Sequence, residues 1–498
     1  MGSVRGVHEW FRKIVKRADA ADRQLVGRSA ALPRNIADPG LKALSTAANH
    51  SVLWLSAAAA LSLRNGAARR GALRGVVAIA ASSATTNLLG KPLFPRRRPA
   101  ARLVPRHRRF SDPPRSSSFP SGHAASAAAF ATAVAMESPA LGLAVAPIAA
   151  AVAYSRVHTG VHWPTDVLCG SAIGTATAWA TRHWWPLRPD TTAAVRRPAE
   201  APRLHRGEGV LILINPESGD GFFDAEHWVG THWPAAKVVR PEPDADLAAG
   251  LEATLEREGG SVRALGVAGG DGTVSAVAAV ATRRNLPLAV LSAGTLNHFA
   301  RDTGVADPGA MAAAVERGSA ARLDLGGMAV DDRPTRWFLN TASLGGYPDM
   351  VRFREKWSPR WGKWPAAAAA LVRVLHESTP LEVELNGVRR RVWVLFVGNG
   401  AYQPRGFAPT WRPRLDNGRL DVRYVRADAH LSRLRFVLAA LTGALHRSRT
   451  YVEREHRFLD VRVLGAPVAV ATDGEIGQRG SRFAFTAHPD VLTVYRPL

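Results

Sequence analysis

The sequence is poor in cysteine and in acidic residues. Its 498 residues include a single cysteine, Cys169, which excludes an internal disulfide. Lysine and arginine number 65 against 41 aspartates and glutamates, so the formal net charge is +24, and acidic residues are scarcest in the first half. A positive charge of this size attracts phosphate groups on nucleic acids, anionic lipids or small substrates.

Three further absences narrow the class of protein. The start, MGSVRGVHEWFRKIVKR, is basic but has no apolar h-region, so no secretory signal is expected. No internal repeat is found. No basic segment interleaved with aromatic residues is found either, so a nucleic-acid-binding protein is the weaker alternative and no nucleic-acid partner is expected. A salt-sensitive DNA-binding test would expose that alternative.

Alanine-rich apolar runs are abundant in the first half. They cover residues 43–63, 71–90, 122–137, 140–155 and 164–184. Each approaches the roughly 20 residues that a membrane-spanning helix needs, and the short charged connections favour membrane insertion over a soluble helical bundle. Small residues, as in GSAIG (170–174), suit close helix contacts. We therefore predict an all-α membrane bundle over 41–185, preceded by a basic amphipathic segment over 1–40 that can lie on a membrane surface.

The second half has the character of α/β and β sequence. Residues 186–208 are rich in proline and arginine and are predicted to form an exposed linker. After it, apolar strands such as GVLILINP run into turns and glycine loops, and β-like alternation dominates beyond about residue 323. One helical segment is predicted near KWPAAAAALVRVLHE. The chain is therefore predicted to be multidomain.

Three polar clusters lie at the ends of the apolar runs. KPLFPRRRP contains Lys91 and Arg98, FPSGH contains Ser121, Gly122 and His123, and SRVHTGVHWPTD contains Arg156, His162 and Asp166. Counting membrane crossings places all three clusters on one side. Fixed cations, a hydroxyl and an accessible backbone N–H suit a phosphoryl group. A histidine paired with a carboxylate can act as nucleophile or base, and a second histidine can protonate the leaving oxygen, so no metal need take part.

These clusters resemble the type 2 phosphatidic acid phosphatase (PAP2) superfamily, whose motifs are K-x6-R-P, P-S-G-H and S-R-x5-H-x3-D. All three are met, and the resemblance covers roughly residues 40–185. It implies a lipid phosphate or pyrophosphate as substrate, with no cofactor. It further implies that His162 forms a phosphohistidine, Asp166 orients His162 and His123 is the acid. His158 falls in the unspecified part of the third motif. The alternative is a charged interfacial loop that binds lipid headgroups.

A glycine loop stands between a strand and a helix of the second half. In GGDGT, the backbone N–H groups of Gly269, Gly270, Gly272 and Thr273 can surround phosphates at a helix N-terminus. Asp271 in the same loop can bind Mg²⁺ or contact nucleotide phosphates. No G-K-[ST] follows, so the loop is not a Walker loop, and NAD kinases and phosphofructokinases share GGDGT.

Its neighbours distinguish between these kinases. SAGTLNHFARDTG, INPESG and ATDGEIG look like the diacylglycerol kinase catalytic family, which includes sphingosine kinases and bacterial lipid kinases. The resemblance covers nearly all of 209–498. It implies an α/β nucleotide domain over 209–325 and a β-sandwich over 326–498 whose last strand returns to the first domain. ATP with Mg²⁺ would lie between them, lined by Asn215, the GGDGT loop and Thr295, and Glu475 would be the general base for a lipid hydroxyl such as that of diacylglycerol.

Two positions depart from the family's pattern. Asn417 stands where a second acidic residue often precedes the glycine of LDNG. A structural Mg²⁺ site at Asp416 would therefore have one acidic residue fewer than is usual in the family. Ser275 stands where asparagine is common. An alternative is therefore a phosphatase fused to a degenerate kinase domain that only senses lipid, and an ATP-consumption assay would separate the two.

The order of the runs predicts sidedness. Counting spans places the kinase domain across the bilayer from the phosphatase clusters. Because ATP is cytoplasmic, the phosphatase site is expected outside the cytoplasm. The arginines of residues 96–115 oppose this under the positive-inside rule. We expect a multi-pass protein of the cell membrane whose partners are membrane lipids and an anionic bilayer.

Overall fold

The chain folds as two compact units, Met1–Asp190 (unit 1) and Thr191–Leu498 (unit 2). The computed structural model describes residues 2–64, 66–187, 192–216, 223–241, 246–294, 297–305, 307–346, 373, 376, 379–405 and 411–497. The segment predicted to be helical near KWPAAAAALVRVLHE lies outside the described residues, apart from two single positions.

Unit 1 is built from helices in the residues described. They are α1 (Gly2–Ala31), α2 (Ala37–Ala47), α3 (Val52–Ser62), α4 (Ala67–Ala84), α5 (Lys91–Leu93), α6 (Gly122–Glu137), α7 (Pro139–His158) and α8 (Pro164–Ala180). A π-helical turn, Thr85–Gly90, joins α4 to α5. Trp54, Phe130 and Val152 are among the residues of the core that unites α3, α4, α6 and α7.

Glycines set the distance between α6 and α8. A Cβ atom added at Gly170 would overlap the carbonyl oxygen of Ser121, and one added at Gly174 would overlap that of Ala125. Only a residue without a side chain lets the two backbones approach this closely. The prediction that GSAIG serves close helix contact is thus confirmed.

Gly174→Leu should destabilise unit 1. The leucine would force α8 away from α6, at a cost of about 3 kcal/mol in the free energy of unfolding, which for a unit of this size lowers Tm by about 6–12 °C. Thermal unfolding of the detergent-solubilised chain measures the change. Gly27→Ala is the matched control, because nothing lies within 4 Å of a Cβ added there. Equal Tm values for the two variants would contradict this packing.

Two helices are long and apolar enough to cross a membrane, within the part of the chain described. They are Ala67–Leu93 and Pro139–His158, with mean hydropathies of 1.2 and 1.6. The predicted run 43–63 is not one helix, because α2 ends at Ala47 and the positive φ angles of His50 and Ser51 break the chain before α3. The helices α6 and α8 contain 16 and 17 residues, which is shorter than the roughly 20 that a full span needs.

Unit 2 combines strands and helices. Its strands are β1 (Pro198–Glu200), β2 (Val210–Ile214), β3 (Lys237–Val239), β4 (Ala264–Gly269), β5 (Leu288–Ser292), β6 (Ser319–Val330), β7 (Arg336–Phe338), β8 (Thr341–Gly345), β9 (Leu381–Leu385), β10 (Val388–Asn399), β11 (Leu420–Arg426), β12 (Tyr451–His456), β13 (Phe458–Val463), β14 (Val468–Thr472), β15 (Glu475–Gly480) and β16 (Arg482–Tyr495). Its helices are α9 (Ala225–His232), α10 (Leu247–Glu258), α11 (Asp271–Arg284), α12 (His298–Thr303), α13 (Pro308–Arg317) and α14 (Ser432–Leu441).

Unit 2 has a parallel part and an antiparallel part. The strands β3, β2, β4 and β5 pair in parallel in that order. The last strand, β16, lies antiparallel to β6 and reaches β5 in parallel at Val494. Hydrogen bonds then continue into the antiparallel strands, so the strands described form one continuous sheet rather than two separate ones. Separate apolar cores lie under the parallel and the antiparallel strands.

Residues 192–208, predicted to be an exposed linker, belong to unit 2 instead. The strand β1 pairs with β6, and Ala193 and Leu204 are buried in the core of the parallel part. The segment is rich in proline and arginine, but two of its apolar side chains pack into the core. The prediction of an exposed linker is therefore wrong for these residues.

Candidate active sites

One end of unit 1 gathers the three polar clusters. Lys91 begins α5, Ser121 precedes α6 as its N-cap, Arg156 lies in the last turn of α7 and Asp166 lies in the first turn of α8. The backbone N–H of Ser121 donates to the carbonyl oxygen of Asp166 at 2.9 Å. The three clusters therefore lie close together because the helix ends that carry them pack at the same end of unit 1.

His162 lies in the loop between α7 and α8 and is 3% exposed. Its Nδ1 is 2.6 Å from the carbonyl oxygen of Ser118. Because a carbonyl oxygen can only accept, Nδ1 carries the proton and Nε2 keeps its lone pair. Nε2 lies 3.4 Å from Nη1 of Arg98. Burial, reinforced by the charges of Arg156 and Arg98, lowers the pKa of His162 to about 4, so the imidazole is neutral at neutral pH.

Asp166 is not the nearest partner of His162. Its Oδ2 lies 3.7 Å from Nδ1 of His162 and accepts a hydrogen bond from the backbone N–H of Trp163 at 2.9 Å. The carboxylate is fully buried and closes the first turn of α8. Sequence reasoning missed the Ser118 carbonyl oxygen, since a backbone group leaves no signal in a motif.

His123 lies at the start of α6 and is partly exposed. Its Nε2 is 2.8 Å from the amide oxygen of Asn49. The imidazole is close enough to His162, Arg156, Lys91 and Arg98 for their charges to act on it. The two histidines named by the motifs therefore belong to one electrostatic environment.

The cations are held by short polar contacts. Nζ of Lys91 donates to the amide oxygen of Asn87 at 2.7 Å, and Arg98 donates to the carbonyl oxygens of Ser116 and Ser117. Arg156 is 2% exposed and donates Nη1 to the hydroxyl of Ser45. Its buried Nε has no hydrogen-bond partner in the described residues. A phosphoryl oxygen would satisfy such a donor.

His158 has a different setting from that of His162. Its Nε2 is 2.8 Å from Oδ1 of Asp38 in α2. His107 and Arg108 contact the same carboxylate at 3.0 and 3.1 Å. His158 therefore ties α7 to α2.

The glycine loop of unit 2 joins β4 to α11. A Cβ atom added at Gly269 would lie 2.7 Å from Cβ of Thr273, and one at Gly294 would lie 2.6 Å from Cα of Gly270. A Cβ atom at Gly272 would overlap Oε1 of Glu475. The loop therefore brings bare backbone, the N-terminus of α11 and a carboxylate together, which suits phosphate binding beside a proton acceptor.

Polar side chains of the α/β part surround this loop. The amide of Asn215 donates to the hydroxyl of Thr273 at 3.1 Å. The carboxylate of Asp271 accepts from the backbone N–H groups of His298 and Phe299 at 3.3 and 3.4 Å. The buried hydroxyl of Ser292 has no hydrogen-bond partner in the residues described, as expected for a group that meets a ligand. Thr295 lies outside the described residues.

Asp473 supports the turn that carries Glu475, and sequence reasoning missed it. Its buried carboxylate accepts three backbone N–H groups, from Leu339 and Asn340 at 2.8 Å and from Thr341 at 3.0 Å. It also accepts from the hydroxyl of Ser275 at 2.8 Å. Burial raises the pKa of Asp473, and these hydrogen bonds oppose the rise. Ser275, the departure noted above, therefore connects α11 to this turn.

Asp416 is engaged by the protein itself. Its Oδ1 accepts from Nη2 of Arg414 at 2.6 Å, and its Oδ2 accepts from the backbone N–H of Arg196. The described part of the chain contains no group of three or more acidic, histidine or cysteine side chains that could hold a metal ion. A metal at Asp416 or Asp271 stays a prediction.

Comparisons with known proteins agree with the two-unit division. Residues 71–190 match the PAP2 superfamily, and residues 209–328 match the diacylglycerol kinase catalytic domain. Over 255 residues the chain is 30% identical to a diacylglycerol kinase of Mycobacterium tuberculosis (strain H37Rv), covering 49% of this chain and 81% of that protein.

Solved structures of low identity are similar to each unit. A diacylglycerol kinase from Bacillus anthracis has a TM-score of 0.39 and 16% identity, over 58% of this chain and 97% of that one. LpxE from Aquifex aeolicus has a TM-score of 0.28 and 24% identity, over 31% and 91% of the two chains. A PAP2-type phosphatidylglycerolphosphate phosphatase from Bacillus subtilis has a TM-score of 0.26 and 22% identity, over 32% and 82%.

Proposed function

Because the chain belongs to the diacylglycerol kinase family and also carries a PAP2 superfamily domain, we propose that it is a bifunctional enzyme of lipid phosphate metabolism. Unit 1 removes phosphate from a lipid phosphate or pyrophosphate. Unit 2 transfers phosphate from ATP to a lipid hydroxyl such as that of diacylglycerol.

The phosphatase half rests on the placement of two histidines and three cations around one end of unit 1. Nε2 of His162 attacks the phosphorus, the P–N bond forms and the P–O bond to the lipid breaks. The negative charge of the bound phosphate favours protonation of His123, which then gives that proton to the leaving oxygen. Lys91, Arg98 and Arg156 stabilise the equatorial oxygens, with the hydroxyl of Ser121 and the N–H of Gly122. Water then attacks the phosphorus and gives a proton to His123, the new P–O bond forms as the P–N bond to His162 breaks, and inorganic phosphate leaves.

The kinase half rests on the contact between Glu475 and Gly272. Glu475 accepts the proton of the lipid hydroxyl as that oxygen attacks the γ-phosphorus of ATP, and the bond from this phosphorus to ADP breaks. Asn215 and the backbone of residues 269–273 hold the phosphates of the nucleotide at the N-terminus of α11. ATP supplies the phosphoryl group, and the Mg²⁺ that accompanies it neutralises phosphate charge. The bare glycine backbone and the unpaired hydroxyl of Ser292 fit such a ligand.

We further propose a multi-pass location in the cell membrane. Two helices of suitable length and hydropathy support this location. Unit 2 lies in the cytoplasm, where ATP is found, and the phosphatase site faces away from it. The positive charge of the chain favours an anionic bilayer.

Incubation of the purified full chain with a panel of labelled lipids tests both activities. In mixed micelles without ATP, we expect release of inorganic phosphate from at least one lipid phosphate or pyrophosphate. With ATP and Mg²⁺, we expect phosphorylation of a lipid alcohol and stoichiometric formation of ADP. Phosphate release without any ADP formation would favour a degenerate, lipid-sensing kinase domain instead.

A further inference from the structure

The helix α1 reaches the phosphatase site although it lies outside the segment that matches the PAP2 superfamily. That match begins at residue 71, whereas α1 ends at Ala31. Two aspartates of α1, Asp19 and Asp22, contact Arg96, and Asp22 also contacts Thr165 at the start of α8. The side chain of Asp19 is 52% exposed, whereas that of Asp22 is 1% exposed. A buried carboxylate on a basic helix needs partners.

Those partners are Arg96 and Thr165. Nη2 of Arg96 lies 2.6 Å from Oδ1 of Asp19 and 2.8 Å from Oδ2 of Asp22. The backbone N–H of Thr165 donates to Oδ1 of Asp22 at 2.9 Å, and its hydroxyl donates to Oδ2. Asp22 therefore fixes both an arginine and the first turn of α8.

The other side of Arg96 holds Asp166. Nη1 of Arg96 donates to Oδ1 of Asp166 at 2.8 Å and to the hydroxyl of Thr165 at 2.7 Å. Oδ2 of Asp166 is then left for the N–H of Trp163 and for His162. Arg96 is one of the six unspecified residues of the K-x6-R-P motif, and no motif includes Asp22. A single guanidinium thus connects α1 to the carboxylate beside the nucleophile.

We infer that Asp22 is a positioning residue of the phosphatase reaction, which acts through Arg96 to hold Asp166 beside His162. The inference rests on the proposed function of unit 1. Without Asp22, one side of the planar fork of Arg96 loses its buried anchor. The carboxylate of Asp166 then loses the fixed donor on Oδ1 that sets its orientation toward His162.

A double-mutant cycle separates this role from simple anchoring of α1. Asp22→Asn keeps the shape of the side chain and removes its charge, and we expect a loss of about tenfold in kcat with KM within about twofold of wild type. Arg96→Gln should give a similar loss. Because both act on one carboxylate, the double variant should be no more than about twofold slower than Arg96→Gln alone. Asp112→Asn, in an exposed loop of unit 1, is the control that should leave kcat unchanged.

A second measurement reads His162 directly and needs no turnover. The rate at which diethylpyrocarbonate modifies His162 is followed against pH by peptide mass spectrometry. His162 is faced by Asp166 from α8, Arg156 from α7, His123 from α6 and Arg98 from the loop after α5. Arg96→Gln removes a cation beside Asp166, so the midpoint should be higher than in the wild-type chain. Asp22→Asn removes an anion and should not raise it.

The two measurements distinguish failure of the inference from failure of the proposed function. Losses in kcat that multiply in the double variant, or a midpoint of His162 that does not move in Arg96→Gln, would overturn the inference. If the wild-type chain hydrolyses no lipid in the panel, the proposed function fails. The pH dependence of His162 modification in Arg96→Gln would still show whether Arg96 acts on this histidine.

Discussion

His162→Ala is expected to reduce phosphate release from a lipid phosphate by about a thousandfold or more, because it removes the proposed nucleophile itself. The imidazole is buried, its Nδ1 is bound to the Ser118 carbonyl oxygen, and its Nε2 carries the lone pair and lies 3.4 Å from Nη1 of Arg98. Release of inorganic phosphate by the purified chain measures the loss.

His158→Ala is the matched control, four residues earlier in the same motif. His158 binds Asp38 in α2 and takes no part in the cluster around His162. The variant should keep most of the phosphatase activity. It should lose about 1–3 kcal/mol of stability, because Asp38 loses one of its donors. Comparable loss of activity in both variants would contradict the assignment of His162 as nucleophile.

Asp271→Ala is expected to lower ATP-dependent lipid phosphorylation by about a hundredfold or more while phosphate release by unit 1 continues. The carboxylate lies in the glycine loop, at the first residue of α11, and accepts two backbone N–H groups from the start of α12. Its loss frees the start of α12 and removes the carboxylate of the glycine loop itself. Transfer of labelled phosphate from ATP to diacylglycerol measures the effect.

The matched control for this variant is Asp332→Ala, since Asp332 is an exposed aspartate of unit 2 in a turn after β6. It should phosphorylate lipid at the wild-type rate. Because we propose both activities for one chain, phosphate release in the same preparation should report the amount of intact unit 1. Persistence of phosphorylation in Asp271→Ala would show that the glycine loop is not the nucleotide site.

Sequence patterns predicted the members of both candidate sites and their order along the chain. Motif residues such as His123, His162 and Asp166 stand at the ends of helices, and the structure brings those ends together. The glycines of GGDGT likewise stand between a strand and a helix. These features are local, because a helix end or a strand end is marked by neighbouring residues along the chain.

Contacts between distant segments could not be predicted in the same way. Ser118, Asn49 and Asp22 approach the phosphatase residues, and Asp473 supports Glu475, although none of them was identified as a site residue. The break at His50 and Ser51 and the burial of Ala193 were likewise missed. Each depends on how segments far apart in sequence pack against one another.

The sequence by itself determined which residue types the chain offers to a phosphate and at which helix and strand ends they stand. Only the tertiary structure decided that a backbone carbonyl, and not Asp166, is the nearest partner of His162, and that α1 contributes a buried carboxylate to the same network. The physical reason is that the spacing of residues along one segment reports only the local helix or strand that this segment forms. A hydrogen bond between two segments depends on the distance and orientation that the whole core imposes on them.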